Sequence, residues 1–379
     1  LPAPTVTNPS GFFTVKALVN GGTPNTSFDT GFDSVGLIMA KRTDSNGGWE
    51  WFDSARGANA LLQSDNSDAE DTKSGLSFSG GTFNISTTLN LGQANTSHVV
   101  YSLKAGGNPT ADNIAGAGAT PTANSVKIDG SNLGSALAGN LPVTRLSANT
   151  TSGFSVATWT GNSSGAGQTI AHGLGRQPHM GIFRRRSLGQ DWAVYHEFAD
   201  ASQPEHKYLN FNNAGVQDAS WLNDTKPGDD FWTLGASGFV NTNNETFVAY
   251  SFARTPGLIG IGIYTANGNP DGPYVTINDG ASGFKPAWLV IKRLGTEFWG
   301  VFDNIGDPFN PVNKYLNINT NLARNAGTGG NDLDFTANGF KLRSSNAATN
   351  TGTDSYIYLA MAESPFSFGG DGVAQARAR

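Results

Sequence analysis

Apolar residues in this chain come in short runs, many alternating with polar or small ones, and clusters of Gly, Asn, Asp, Ser and Thr separate the runs. The pattern is clearest from residue 258 onward. Leu258-Ile-Gly-Ile-Gly-Ile-Tyr264 has a period of two, which places alternate side chains on one face of a strand. Asn267-Gly268 and Asp271-Gly272 are hairpin-type turns, and Tyr274–Ile277 reads as the next strand. Further strands are expected over 287–291, 298–302, 315–318, 333–335, 340–342 and 355–362. Short strands at such regular spacing predict a β-sandwich or jelly roll. No long stretch has a 3.6-residue period. Only short helices over 55–63 or near Ala199 are compatible with the pattern.

The same signature occurs three times. The first copy has Val35-Gly-Leu-Ile-Met-Ala-Lys41-Arg42 followed by Trp49-Glu-Trp51-Phe52-Asp53. The second has Met180-Gly-Ile-Phe183-Arg184-Arg185 and Trp192-Ala-Val-Tyr195-His196, and the third Trp288-Leu-Val-Ile-Lys292-Arg293 and Trp299-Gly-Val-Phe302-Asp303. Between the second and third copies, Trp192 and Trp299 are 107 apart, as are Lys207 and Lys314, while Tyr250 and Tyr358 are 108 apart. Between the first two, Arg42 and Arg185 are 143 apart, so about 36 extra residues intervene. Recurrence at a fixed period is the mark of a repeat architecture. We therefore expect an all-β chain of three tandem β-sandwich (jelly-roll or lectin-like) modules, A over 1–105, B over 151–256 and C over 257–366, with a tail over 367–379. Residues 106–150, rich in Gly, Ala, Thr and Asn, read as an extended linker between the first two modules; sparse Ile128, Leu133, Leu137, Leu141 and Leu146 would alternatively let it dock on a neighbour.

Composition narrows the function classes. Only 14% of the 379 residues are charged and 49 are glycine, which suits sheets and turns rather than solvated helices. The net charge is −6, without the basic field of a nucleic-acid binder. There is no cysteine, hence no disulfide or thiolate metal site, and no apolar run of about 18 residues that would span a membrane as a helix. The first residues, Leu1-Pro2-Ala3-Pro4, show neither an initiator Met nor a signal-peptide pattern, so the chain is expected to be processed or part of a longer one.

Candidate chemistry is sparse. The aromatic–acid elements ending in Asp53 and Asp303, with His196 at the same place in module B, read either as catalytic acids or as turn caps behind an apolar strand; the Asp-to-His change favours the cap. Lys41-Arg42, Arg184-Arg185-Arg186 and Lys292-Arg293 end each central strand, and the triple arginine is the best candidate for an anionic contact. Trp49, as a stacking platform, and Asp53 complete the candidate ligand-binding set of Arg184, Arg185, Arg186, Trp49 and Asp53. Asp65-Asn-Ser-Asp68-Ala-Glu70-Asp71 carries hard oxygen ligands but lacks the spacing and glycine of an EF-hand loop. The five histidines have no metal-binding spacing, and neither a nucleophile elbow nor a phosphate loop is present. No catalytic residue, metal or cofactor is expected.

Gly283-Phe-Lys-Pro-Ala-Trp-Leu-Val-Ile-Lys-Arg293, Trp299-Gly-Val-Phe-Asp303, Lys314-Tyr-Leu-Asn317, Asn338-Gly-Phe340 and Tyr356-Ile-Tyr-Leu-Ala-Met-Ala-Glu-Ser-Pro-Phe366 together resemble a module of virion proteins of marine tailed bacteriophages. Modules B and C match well. Module A matches in Trp51-Phe-Asp-Ser-Ala-Arg-Gly57 and departs in its second half, and module B lacks the Asp and the Arg-Gly. The resemblance implies a non-enzymatic tail-fibre or head-decoration protein at the virion surface. Its expected partners are other virion proteins, further copies of itself (a trimer foremost) and host-surface glycan, with no nucleic acid and no membrane insertion. Rival readings are a carbohydrate-binding adhesin and a polysaccharide-degrading tailspike.

Overall fold

The computed structural model describes residues 4–364 except 213, 219, 220, 326, 328 and 329; the tail expected over 367–379 lies outside the described residues. The chain is nearly all β and of sandwich type. Among the described residues the only helical elements are two three-residue 3-10 turns, Pro9–Gly11 and Asn90–Gly92. Neither expected short helix forms among them. Residues 57–62 are a strand because Ala60, Leu61 and Leu62 are needed on a sheet, and Ala199 lies in a turn. The eight strands expected in module C all occur, from Ile259–Thr265 to Ser355–Ala362.

Each module is built on one large sheet of five equivalent strands. An entry strand (Phe13–Val19, Phe154–Thr160 or Ile259–Thr265) pairs with the module's closing strand (Ser97–Leu103, Thr246–Phe252 or Ser355–Ala362). The closing strand pairs with the central strand (Leu37–Arg42, Met180–Arg185 or Pro286–Arg293). Next comes the tryptophan strand (Trp49–Asp53, Ala193–His196 or Trp299–Asp303), and then a fifth strand (Gly57–Leu62, Lys207–Asn210 or Tyr315–Asn317). Every neighbouring pair in this series is antiparallel. A smaller sheet of two or three strands accompanies each large one.

Both faces of the large sheets are apolar, which explains why the central strands read as unbroken hydrophobic runs. One face packs within its own module: Phe52 and Phe83 in A, Phe183 and Trp232 in B, Phe302 and Phe340 in C. The other face joins a single cluster shared by all three, with Met39, Trp51 and Tyr101 from A, Ile182, Trp192 and Tyr250 from B, and Val290, Trp299 and Leu359 from C. The modules therefore meet across one common core.

Residues 106–150 are not the extended linker expected from their composition. Val143–Asn149 pairs antiparallel with the entry strand Phe154–Thr160, and Val126–Ile128 lies parallel beside it, enlarging the sheet of module B to nine strands. The sparse apolar residues decide this. Val126, Val143 and Leu146 are buried, with Ile128, Leu133 and Leu137 packed against them. Gly106 permits the close approach: a Cβ there would stand 2.2 Å from the Ala148 carbonyl oxygen and 2.4 Å from that of Lys127.

Candidate functional site

The register of the sheets fixes which residues are equivalent. Asp53 lies opposite Leu37, His196 opposite Met180 and Asp303 opposite Trp288, each closing its tryptophan strand. All three cap the following turn. Asp53 Oδ1 accepts from the amides of Ala55 (3.0 Å) and Arg56 (2.8 Å), and Asp303 Oδ1 from those of Ile305 (3.0 Å) and Gly306 (2.6 Å). His196 Nδ1 accepts from the Phe198 amide at 3.2 Å.

Each cap also reaches into the next module. The Tyr250 hydroxyl of B donates to Asp53 Oδ2 of A at 2.8 Å, and the Tyr101 hydroxyl of A donates to Asp303 Oδ2 of C at 2.7 Å. In the third junction His196 Nε2 of B lies 3.3 Å from the Tyr358 carbonyl oxygen of C. With Nδ1 occupied as an acceptor, Nε2 carries the proton and donates. The residue of C equivalent to Tyr101 and Tyr250 is Leu359, because Met39↔Tyr101, Ile182↔Tyr250 and Val290↔Leu359 are the matching pairs. Thus the 108-residue spacing from Tyr250 to Tyr358 is one short, and Tyr358 faces its own module's core. Where the cap is a histidine, the opposing hydroxyl is absent too.

Each of the two Asp caps has an arginine to balance its charge. Arg56 Nε lies 2.5 Å from Asp53 Oδ2, and Arg324 Nη2 lies 2.8 Å from Asp303 Oδ2. Neutral His196 needs no such partner. Burial pushes its imidazole down to about 3, so the ring stays neutral. Burial, reinforced in both cases by the facing carboxylate, holds the phenols of Tyr101 and Tyr250 well above their ordinary value.

A second cyclic set runs through the equivalent tryptophans. The indole N–H of Trp49 in A donates to the Asn317 carbonyl of C (2.9 Å), that of Trp192 in B to the Gln63 carbonyl of A (2.9 Å), and that of Trp299 in C to the Asn210 carbonyl of B (2.8 Å). The order A to C, C to B, B to A closes a ring, so the three modules are related by pseudo-threefold symmetry within one chain. At the centre remains an apolar cavity of about 10 Å³, lined among others by Met39, Met180, Trp288 and Met361.

The residues singled out from the sequence for ligand binding are consumed by this assembly. Trp49 and Asp53 are fully buried. Arg184 is buried over the Trp192 ring and donates to the Asp68 carbonyl of A. Arg185 pairs with Glu245 at 3.2 Å, and Arg186 pairs with Glu70 at 2.7 Å. The basic pairs are thus joints between and within modules, not an open anionic patch. The acidic run over 65–71 serves the same junction. Asp65 Oδ1 caps the Trp49 amide at 2.7 Å, and Glu70 joins Arg56 and Arg186. Among the described residues no group of three or more His, Cys, Asp or Glu is placed to hold a metal ion.

Among the described residues a polar cleft of about 530 Å³ opens elsewhere, between the end of module A and the docked 106–150 segment. Asp33, Lys104, Asn108, Lys127, Asp129 and Thr151 line it, over a backbone floor that includes Gly106, Gly107 and Gly130. Lys104 Nζ bonds Asp33 Oδ2 at 2.9 Å and lowers that carboxyl, Lys127 Nζ reaches Asn124 Oδ1 at 2.9 Å, and Asp129 accepts from the Thr150 amide and hydroxyl. Amide, hydroxyl, ammonium and carboxylate groups share the walls, with no aromatic platform. Such a surface offers donors and acceptors together and suits a polyhydroxylated ligand. Composition hid this site because Gly106-Gly107 and Asp129-Gly130 read as linker punctuation; two glycine turns flanking the same polar stretch were the available signal.

The fold and its cleft define an all-β, sandwich-type protein in which three sheet pairs surround one core. The chain belongs to the family described as "Domain of unknown function (DUF7483)", whose model matches residues 8–365 and so spans all three sheet pairs. No curated protein matches it.

Proposed function

We propose that this chain is a non-enzymatic structural protein of a virion surface, in a tail fibre or as a head decoration, and that it touches host glycan through the cleft around Lys104 and Lys127. One observation supports the structural part most. The residues that recur in every copy, the tryptophans and the Asp/His caps, are spent on fastening module to module around a shared core. Repetition used in this way builds a stiff display body. The resemblance of modules B and C to marine-phage virion modules points the same way.

The test is proteomics and cryo-electron microscopy of particles from cells that carry the coding sequence. The expected result is the chain in purified virions, at tens of copies or fewer for a tail position and hundreds for a head position. Absence from every particle preparation overturns the virion reading.

A free carbohydrate-binding adhesin is the second reading, favoured by the mixed donors and acceptors of the cleft. A glycan array probed with the full chain tests the contact itself. Binding that falls at least tenfold in Lys127→Ala supports the cleft. Binding unchanged in that variant, or no binding at all, removes it.

A further inference from the structure

We propose that the entry strand Phe13–Val19 of module A pairs antiparallel with the same strand of a second copy of this chain, with Ala17 on the twofold axis. The argument begins with the three equivalent sheet edges. In module B the entry strand is covered from Phe154 to Trp159 by Val143–Asn149. In module C, Leu258 and Ala362 form a hydrogen-bonded pair across the ladder, so the odd-numbered amides point outward. Two of these are already taken: the Ile259 amide donates to the Thr255 carbonyl (3.0 Å) and the Ile261 amide to that of Asn278 (2.9 Å).

Module A has neither device. The Lys104 amide donates to the Phe12 carbonyl and the Asn20 amide to that of Thr96, so even-numbered residues face the closing strand and odd-numbered ones face outward. The backbone groups of Val15, Ala17 and Val19 on that side have no partner among the described residues. The edge also lacks a guard. Natural edges are commonly blunted by a lysine or a proline, but Lys16 turns its ammonium to the Asp29 carbonyl at 2.7 Å. Meanwhile Ala17 is exposed, and Val19 is 72% exposed.

Self-pairing satisfies these groups in a single register. With Ala17 opposite Ala17, Val15 meets Val19 and Lys16 meets Leu18, so the exposed apolar side chains cover one another and no lysine opposes a lysine. Each hydrogen-bonded pair exchanges two bonds, so the pairs 15–19, 17–17 and 19–15 supply about six. Such an isologous contact closes on itself and gives a dimer rather than a filament.

Sedimentation and light scattering of the full chain at rising concentration test the proposal. The expected result is a species of twice the chain mass, reduced to one chain mass in Val19→Asp and in Ala17→Pro. Val19 is exposed in the single chain, and the Ala17 amide takes no part in the internal ladder, so both variants should keep the parent circular-dichroism spectrum. If Ala17→Pro misfolds, Val19→Asp decides alone. A chain that stays monomeric at every concentration overturns the proposal, as do dimers or larger species that persist in Val19→Asp.

Discussion

At the scale of single residues, the three junctions differ in a way that makes them separable. Tyr250 and Tyr101 each donate to a buried carboxylate already paired with arginine. A hydrogen bond to a charged group contributes about 1.5–3 kcal/mol. Tyr250→Phe and Tyr101→Phe should therefore each lower the unfolding free energy by about 2 kcal/mol, while Tyr358→Phe leaves both carboxylate junctions intact. Urea denaturation checks this, and losses below about 0.5 kcal/mol in both variants would show that the hydroxyls do not hold the modules together.

The His196 junction predicts a pH dependence. Burial lowers His196 to about 3 and His98, His172 and His179 to about 4, against an unfolded value near 6.5. A group depressed on folding contributes stability that is present above its unfolded value and is lost as the pH falls. Between pH 6.5 and 4 each such histidine removes up to about 1.4 kcal/mol per pH unit, because only the unfolded chain takes up the proton. Glu50 runs the other way. Desolvation raises it to about 7, so its contribution declines as the pH rises from about 4.5 to 7. Asp65 and Glu197 are also raised by burial and act in the same direction as Glu50. Four histidines outweigh these three carboxyls, and denaturation midpoints should fall from pH 6.5 to 4.5. A flat profile across that window would contradict the neutral, buried assignment.

These residues were legible to different degrees. The tryptophans and the Asp/His/Asp caps could be aligned by spacing alone, and the substitution of His for Asp pointed to the turn caps that these residues form. Leu359 could not be found that way. In an alternating strand a one-residue offset still lands on an aromatic, Tyr358, and only the pairing with Val290 shows which side chain faces the neighbouring module. The arginines misled for a related reason, since a buried interface cation and an exposed binding cation have the same signature in a sequence.

At the scale of elements, strands were readable because period-two patterns and Gly/Asn turns are local signals. All eight strands of module C lie where alternation put them. The 106–150 segment was not readable as strand because its few apolar residues are too widely spaced to set a period. Its place is set by tertiary contacts: a strand ladder with Phe154–Thr160 and the close approach at Gly106. Gly106→Val should therefore release the segment. The Cβ would press on two backbone carbonyls that cannot move away without breaking the ladder. Limited proteolysis should then cut within 106–142 at protease levels that leave the parent chain whole. Equal resistance would mean that the segment is held by other contacts. The same variant should empty the cleft of its Lys127 and Asp129 wall, linking the element to the proposed glycan contact.

At the scale of the whole molecule, repetition was read from the sequence but its consequence was not. Three copies of one set of anchors are equally compatible with beads on a string and with a closed ring. What distinguishes them is the outer face of each large sheet, which is as apolar as the inner one. Residues such as Met39, Ile182 and Val290 have no partner within their own module's core and find it in the shared cluster. Burying one large apolar side chain contributes about 1.5–3 kcal/mol, and each module places several there. A module cut from the chain would expose that whole face to water. Three equivalent sheets thus surround one core inside a single polypeptide, and the proposed self-pairing would use the open edge at Phe13–Val19.

The shared core makes the chain one cooperative unit, and differential scanning calorimetry of the full chain tests that most directly. The account predicts a single endotherm whose calorimetric and van't Hoff enthalpies agree, shifted to lower temperature as one peak by Trp299→Ala. Two or three resolved transitions, with Trp299→Ala moving only one of them, would show modules that fold independently and would contradict the common core.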